Sequence, residues 1–357
     1  MNAPQDPLRP FRDAVVTVAG LGVILALLRL SAMIVEPILL SLLIVAIASP
    51  GLKAMRRLGI STGVSVFAAL FVVLLFLSGF SILLSGALAR FSETLPAYQG
   101  RLVDLTAQVD AWFAGKGIDL HKGGVLHHFS PDRLVEMIES VVAHLGSALS
   151  DALLILFIVI FMLAETNHFP RKLSSVLGTG GAVVQAMAGL LSDIKRYAST
   201  KAVMSLVTGV LIWAGLKAFG LEYAELWGAL ACLLNFIPNI GSILAAAPAV
   251  MMAMLQGSPL YTGGVALLYL GVNLGIGNML EPVLVGRRLG LSAVTVLLSL
   301  VFWGWMFGIV GMLVAVPLSL AVRAFASAYP PTQWLAVLMG PALDEINRSI
   351  HGEADDR

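Results

Sequence analysis

The stretch NFIPNIGSILAAAPAV, residues 235–250, decides how this chain is read. It is apolar enough to lie in a membrane, yet it holds Pro238 and Pro248, Gly241, and two amides, Asn235 and Asn239. A helix broken in lipid exposes peptide groups, and each is costly unless something satisfies it. The break at Pro238 to Gly241 therefore has to be buried in protein or border a watery cavity. There the freed backbone groups and helix ends become ligands for a polar solute or an ion.

Composition places the whole chain in the same solvent. A soluble domain carries about 25% charged residues. Here 12% of 357 residues are charged and 58% are hydrophobic. The expected fold is all-α, a polytopic integral membrane protein. A net charge of +1 gives no basis for nucleic-acid binding. The single cysteine, Cys232, lies in an apolar run and has no partner for an internal disulfide. Arg9 and Arg12 ahead of an apolar run look like a signal peptide. No small-residue cleavage site follows and further runs do, so the segment reads as an uncleaved first span.

Eight apolar runs fall at 14–30, 33–49, 61–89, 146–164, 202–219, 226–255, 260–280 and 291–322. The first two are parted only by Arg29 to Glu36 and read as a tight helical hairpin, with Arg29 and Glu36 as a rim ion pair, the alternative being a transport role for the pair. The loop cations are Arg9 and Arg12, Lys53, Arg56 and Arg57, then Arg171, Lys172, Lys195, Arg196 and Lys201, then Arg287, Arg288 and Arg323. If all are cytoplasmic, the first five runs alternate correctly and both termini are inside. Residues 90–145 and the Glu222/Glu225 turn then lie outside. The run 226–255 must begin and end outside, and 291–322 must begin and end inside. Neither is long enough for two crossings at about 20 residues each. Both read as re-entrant hairpins, which leaves six full spans; the alternative for each is one long tilted helix. Paired broken segments of opposite orientation point to a transporter core with an inverted repeat. The chain divides into membrane helices at 1–89, an extracytoplasmic amphipathic helical region at 90–145, a transport core at 146–325 and a cytoplasmic tail at 326–357.

In the extracytoplasmic region Phe91, Leu95, Tyr98, Leu102, Leu105, Val109 and Trp112 form a heptad seam. Leu134, Ile138, Val141 and Leu145 repeat the spacing. The seams pack within one chain or make a homo-oligomer contact. His121, His127 and His128 have no carboxylate or cysteine at ligand spacing, so no metal is expected.

No phosphate-cradling loop, HExxH or GxSxG motif occurs, so neither an ATP engine nor those hydrolase chemistries are expected, and no cofactor. What remains is polarity at membrane depth. Asn235, Asn239, Asn273, Asn278 and Glu281 are the candidate solute or ion pathway, with backbone at Pro238, Gly241 and Pro248. Asn278 and Glu281 share a helix face. Pro282 ends or kinks that helix. Arg287 and Arg288 follow, so Glu281 binds a cation, relays a proton or gates by ion pairing; otherwise it makes a cytoplasmic-edge salt bridge. Small residues recur at helical spacing at Ala245, Ala249 and Ala253, at Gly271 and Gly275, and at Gly304, Gly308 and Gly311, which suits close helix packing. Trp303 and Trp305 line a pathway or anchor at the interface.

Three phrases carry a family resemblance. FIPNIGSILAAAPA (236–249) fits FIPxxGxxxxxxPA; PVLVGRRLGL (282–291) fits PxLxGxxxxL; GIVGMLVAVP (308–317) fits GxxGMLxAxP. In this order and spacing the chain resembles the autoinducer-2 exporter (AI-2E) family of bacterial membrane proteins. By that resemblance Pro238, Gly241, Pro248, Glu281, Pro282, Gly286, Gly311 and Pro317 are the positions to watch, with Pro282, Gly286, Arg287, Arg288, Gly311 and Pro317 gating or structural. It implies a secondary transporter of the bacterial inner membrane that exports a small polar organic solute such as autoinducer-2, coupled to a proton or sodium gradient. Its partners would be the lipid bilayer, the solute and the coupling ion. The alternatives are a sodium(cation)/proton antiporter and a non-transporting scaffold that uses the 90–145 helices.

Overall fold

The structure, a computed structural model, describes residues 9–115, 152–165, 172, 175, 182–238, 240–280 and 290–341. No strand occurs among them. The helices are α1 (Arg9–Leu30), α2 (Ala32–Arg57), α3 (Thr62–Ala114), α4 (Ala152–Glu165), α5 (Ala182–Phe219), α6 (Ala224–Leu234), α7 (Ile240–Gln256) and α8 (Pro259–Asn273). A π-helical segment, Leu274–Leu280, extends α8. Then come α9 (Ala293–Leu313), α10 (Ala315–Ala328) and α11 (Gln333–Leu338). Exposed side chains along the helices are large and apolar, Phe67, Phe71, Leu153, Phe161 and Leu298 among them. A face of this kind suits lipid, and the all-α polytopic reading holds.

Several boundaries differ from the sequence reading. The expected Arg29–Glu36 turn is absent: helix runs to Leu30 and resumes at Ala32, with only Ser31 between (φ −90°, ψ 13°). The Arg29 guanidinium lies 4.2 Å over the Trp305 ring. The third run and the start of the 90–145 region are one continuous 53-residue helix. Of the first heptad seam the side chain of Phe91 alone is described, and it is buried against Tyr223 and Trp227. Residues 134–145 and the three histidines lie outside the described residues. Lys195, Arg196 and Lys201 sit on α5, not in a loop. Lys201 is 3% exposed.

α5 provides the ruler for the rest. At 38 residues it is about 57 Å long, well over a ~30 Å hydrocarbon core. α6 and α7 begin and end together at its Phe219 end. There the Glu222 N–H donates to Gln256 Oε1 at 3.1 Å, and Phe219 meets Tyr261 edge to face. Between them the chain reverses after α6 ends, at residues 235–238. A Cβ on Gly241 would overlap the Leu234 carbonyl, so only glycine lets the return arm pass this close. The run 226–255 is thus a helical hairpin with both feet at one end.

The second hairpin is hidden inside α9, whose length and composition alone would suit a crossing. Phe307 and Gly308 break it (Gly308 φ 56°, ψ −139°). Trp303 Nε1 donates to Ser319 Oγ at 3.1 Å, and Ser319 donates to Ser299 at 2.6 Å. An unbroken helix would hold those pairs about 24 and 30 Å apart. A Cβ on Gly311 would overlap the Trp303 carbonyl, matching Gly241 on Leu234. The feet of this hairpin lie at the other end of α5. Leu291, Val316 and Leu320 share a core cluster with Leu190, Ile194 and Ala198, and Ser292 N–H donates to the Met339 carbonyl at 3.0 Å. The two hairpins therefore enter from opposite ends.

Small residues bring the helices close. A Cβ on Gly209 of α5 would lie 2.6 Å from Cys232 Cβ, and one on Gly228 of α6 would lie 2.6 Å from Trp213 Cβ. Ala245, Ala249 and Ala253 are fully buried on α7. Gly271 and Gly275 do not pack as the stripe suggested, with nothing within 4 Å of an added Cβ. Replacing Gly228 with Val should therefore lower thermal stability in detergent, by about 1–3 kcal/mol for an overpacked contact. Gly271→Val should leave the unfolding temperature unchanged. Equal shifts for the two would contradict the assigned crossing.

Candidate functional site

Where the first hairpin turns, three elements reach the same depth. Thr208 is eleven residues up α5 from Phe219, Asn235 eleven from the start of α6 at Ala224, and Tyr269 ten from the start of α8 at Pro259. At 1.5 Å per residue each lies about 15–17 Å in, roughly half the ~30 Å core. The three side chains, with Ser242 of α7 and Asn273 of α8, line a cavity of about 10 Å³, room for one water molecule.

The site's polarity is neutral. Asn235 caps the end of α6 and is buried; its Nδ2 donates to Ser205 Oγ at 3.1 Å. Thr208 Oγ1 and Tyr269 OH are both buried and have no hydrogen-bond partner among the described residues. An unsatisfied buried hydroxyl costs about 1–3 kcal/mol. Two on one cavity point to a group they would receive from outside the chain: a water, a solute atom or an ion. Among the described residues no three His, Cys, Asp or Glu side chains could hold a metal together.

The backbone here is broken on two sides. At the hairpin tip the Ile240 N–H donates to the Pro238 carbonyl at 2.6 Å and that of Gly241 to the Ile237 carbonyl at 3.2 Å. Directly after Asn273 the helix widens into the π-helical segment, a form that recurs at functional sites. Asn273 Oδ1 lies 3.1 Å from where a Cβ on Gly277 would stand, so glycine there lets the amide lie against the backbone.

The residues singled out from sequence separate into groups. Asn235 and Asn273 share the cavity, with Pro238 and Gly241 forming the adjacent tip. Pro248 is buried two turns along α7, where its missing N–H leaves the Leu244 carbonyl without its usual donor. Gly311 and Pro317 belong to the second hairpin. Pro317 sits in the first turn of α10, where a missing N–H breaks no helical hydrogen bond. Asn278 is on the π segment, with its side chain outside the description; Asn239, Glu281, Pro282, Gly286, Arg287 and Arg288 lie outside the described residues. Of the tryptophans, Trp303 is built into the second hairpin, stacked on Phe307, whereas Trp305 faces outward under Arg29.

Ser205, Thr208 and Tyr269 escaped the sequence reading because none breaks an apolar run. A signal was present: Lys201, Ser205 and Thr208 are four and three residues apart, one face of α5, and all three are buried. The second hairpin closes its own polar groups instead, as the Ser319–Ser299 pair ends with Ser299 donating to the Thr295 carbonyl at 2.6 Å.

Two helical hairpins entering from opposite ends, one with its tip beside an incompletely satisfied polar cavity at mid-depth, are the architecture of a multi-pass membrane transporter. The sequence matches the family described as AI-2E family transporter over residues 15–331, and the chain belongs to that family. A Haemophilus influenzae protein named "Putative transport protein" is 34% identical over 338 residues, covering 92% of this chain and 96% of the relative. The Escherichia coli "AI-2 transport protein TqsA" is 32% identical over 325 residues, 91% of this chain and 94% of the relative. The Escherichia coli "Putative transport protein YhhT" is 30% identical over 341 residues, 96% of this chain and 97% of the relative.

The open hydroxyls make a stability prediction. Tyr269→Phe and Thr208→Val should hold or raise the unfolding temperature, since each deletes an unsatisfied group worth about 1–3 kcal/mol. Asn235→Ala should lower it, because Ser205 loses its donor. A drop for both hydroxyl variants would show that the protein itself satisfies those groups.

Proposed function

We propose that this protein is a secondary-active transporter that exports a small polar organic solute of the autoinducer-2 type across a bacterial inner membrane, driven by a proton or sodium gradient. The observation that supports this most is the mid-depth cavity, where Thr208 and Tyr269 hydroxyls stand unpartnered beside the Asn235 amide. The solute would meet these groups and the freed backbone of the first hairpin tip. The relative TqsA, named for AI-2 transport, motivates the solute class. Glu281, next after the π segment in sequence, would be the coupling acid. Lys53 and Lys195 border one cavity at the Leu190 end of α5, and cations gather on the cytoplasmic side. That end, with both termini, would face the cytoplasm, and the Phe219 end the exterior.

The test is flux in proteoliposomes with imposed proton and sodium gradients and autoinducer-2 as solute. Gradient-dependent flux should appear, fall about fivefold in Asn235→Ala, roughly the cost of one lost hydrogen bond, and lose its gradient dependence in Glu281→Gln. Unchanged coupled flux in Glu281→Gln would remove that carboxylate from the mechanism.

The size of the cavity favours a second reading. Room for one water, lined by hydroxyl and amide groups, suits a small cation better than an organic solute. The protein would then be a cation/proton antiporter, and added salt would change the pH inside vesicles with no organic solute present.

A further inference from the structure

A second cavity, far larger than the mid-depth one, lies at the Leu190 end of α5. It has a volume of about 560 Å³ and is bordered by α2, α3, α4 and α5. Four cations from two helices converge on it: Lys53 and Arg56 of α2, Lys195 and Arg196 of α5. No carboxylate among the described residues lines it. Solvated surface cations normally spread apart or alternate with acids. Here they share one concave space: Arg56 donates to Thr62, and Lys53, Lys195 and Arg196 line it with no carboxylate among the described residues beside them.

The neutral lining sharpens the chemistry. Ser49 and Ser199 border the same space but already donate to the Ala46 and Lys195 carbonyls of their own helices, so the cations are the groups that would meet the oxygens of a phosphate. The remaining wall is apolar, with Leu52, Val66 and Leu163 facing the same space. A bare phosphate would leave most of this volume empty and would gain nothing from that wall. The fitting ligand is anionic at one end and carbon-rich at the other.

We propose that this cavity is a binding site for a phosphate ester, its phosphate held by Lys53, Lys195 and Arg196 and its organic part against Leu52, Val66 and Leu163. The same chemistry is offered by the headgroup of an anionic phospholipid and by a phosphorylated small molecule. The site is separate from the mid-depth cavity, so it stands or falls independently of the transported solute.

Thermal unfolding of the full-length protein in nanodiscs distinguishes the sources. One arm compares phosphatidylcholine alone with phosphatidylcholine plus phosphatidylglycerol. The other titrates glycerol 3-phosphate into the phosphatidylcholine sample. A rise in unfolding temperature in the first arm identifies a lipid headgroup, and in the second a soluble ester. In either case Lys53→Gln and Lys195→Gln should each weaken the apparent affinity about fivefold, the effect of one cation near an anionic phosphate surface. Lys53→Arg and Lys195→Arg should restore it, which separates charge from folding defects. Lys172→Gln, which removes an equal charge paired to Glu165 outside the cavity, should change nothing. No stabilisation in either arm, or an effect that survives both glutamine variants or falls equally in Lys172→Gln, would overturn the proposal.

Discussion

Everything distinctive in this protein depends on reversing a polypeptide inside lipid. A peptide group at membrane depth must find its partner within the protein, so a reversal there has to be tight and covered. Both reversals use the same contact. A glycine on the return arm lies against a carbonyl of the incoming helix, Gly241 on Leu234 and Gly311 on Trp303, at a spacing that any Cβ would violate. Each glycine also lies about 3 Å, at its Cβ position, from the side chain four residues before it, Ile237 or Phe307. One device is thus repeated in two hairpins of opposite entry.

The two tips differ in how they treat polar groups. In the second hairpin Trp303, Ser319, Ser299 and the Thr295 carbonyl form a closed chain of hydrogen bonds across the two arms. Such a chain locks the arms together. In the first, the Asn235–Ser205 bond ties the tip to α5, while Thr208 and Tyr269 keep unmet hydroxyls toward the cavity. Unmet polar groups at mid-depth are costly, and a transporter has use for groups that only its cargo can satisfy. The feet of the first hairpin are held more loosely, by the exposed Arg90–Glu225 ion pair and the Glu222–Gln256 bond. Exposed pairs of this kind contribute little, so that mouth is held mainly by packing of Phe91 on Tyr223 and Trp227.

Much of this was legible in the sequence, for reasons that are local. Long apolar runs dictate helices in lipid, and Pro238 with Gly241 dictates a break. Loop charges then required 226–255 to return to its own side, and the structure brings its two ends together. The same bookkeeping made 291–322 turn back on itself, and Phe307 and Gly308 make the reversal. Less was legible where a feature depends on what stands opposite. Gly271 and Gly275 have the spacing of a packing stripe, but no helix faces them; Gly209 and Gly228 lack an obvious stripe and make the close crossing. Arg29 and Glu36 suggested a turn, but helix continues on both sides of Ser31 and Arg29 stacks on Trp305.

The sequence by itself determined that the chain is helical, that it lives in a membrane, that two segments turn back within it, and that Asn235 and Asn273 are amides at unusual depth. Hydropathy, backbone chemistry and charge are properties of a segment and its solvent, so they can be read along one strand of letters. Only the tertiary structure decided that Asn235 and Asn273 meet Thr208 and Tyr269 in one cavity, and that Lys53 and Lys195 face each other across another. Those sites join separate helices that cross, with Thr208 and Asn235 27 positions apart in the first and Lys53 and Lys195 142 apart in the second. Convergence of that kind is set by which small residues let which helices touch, and no single segment contains it.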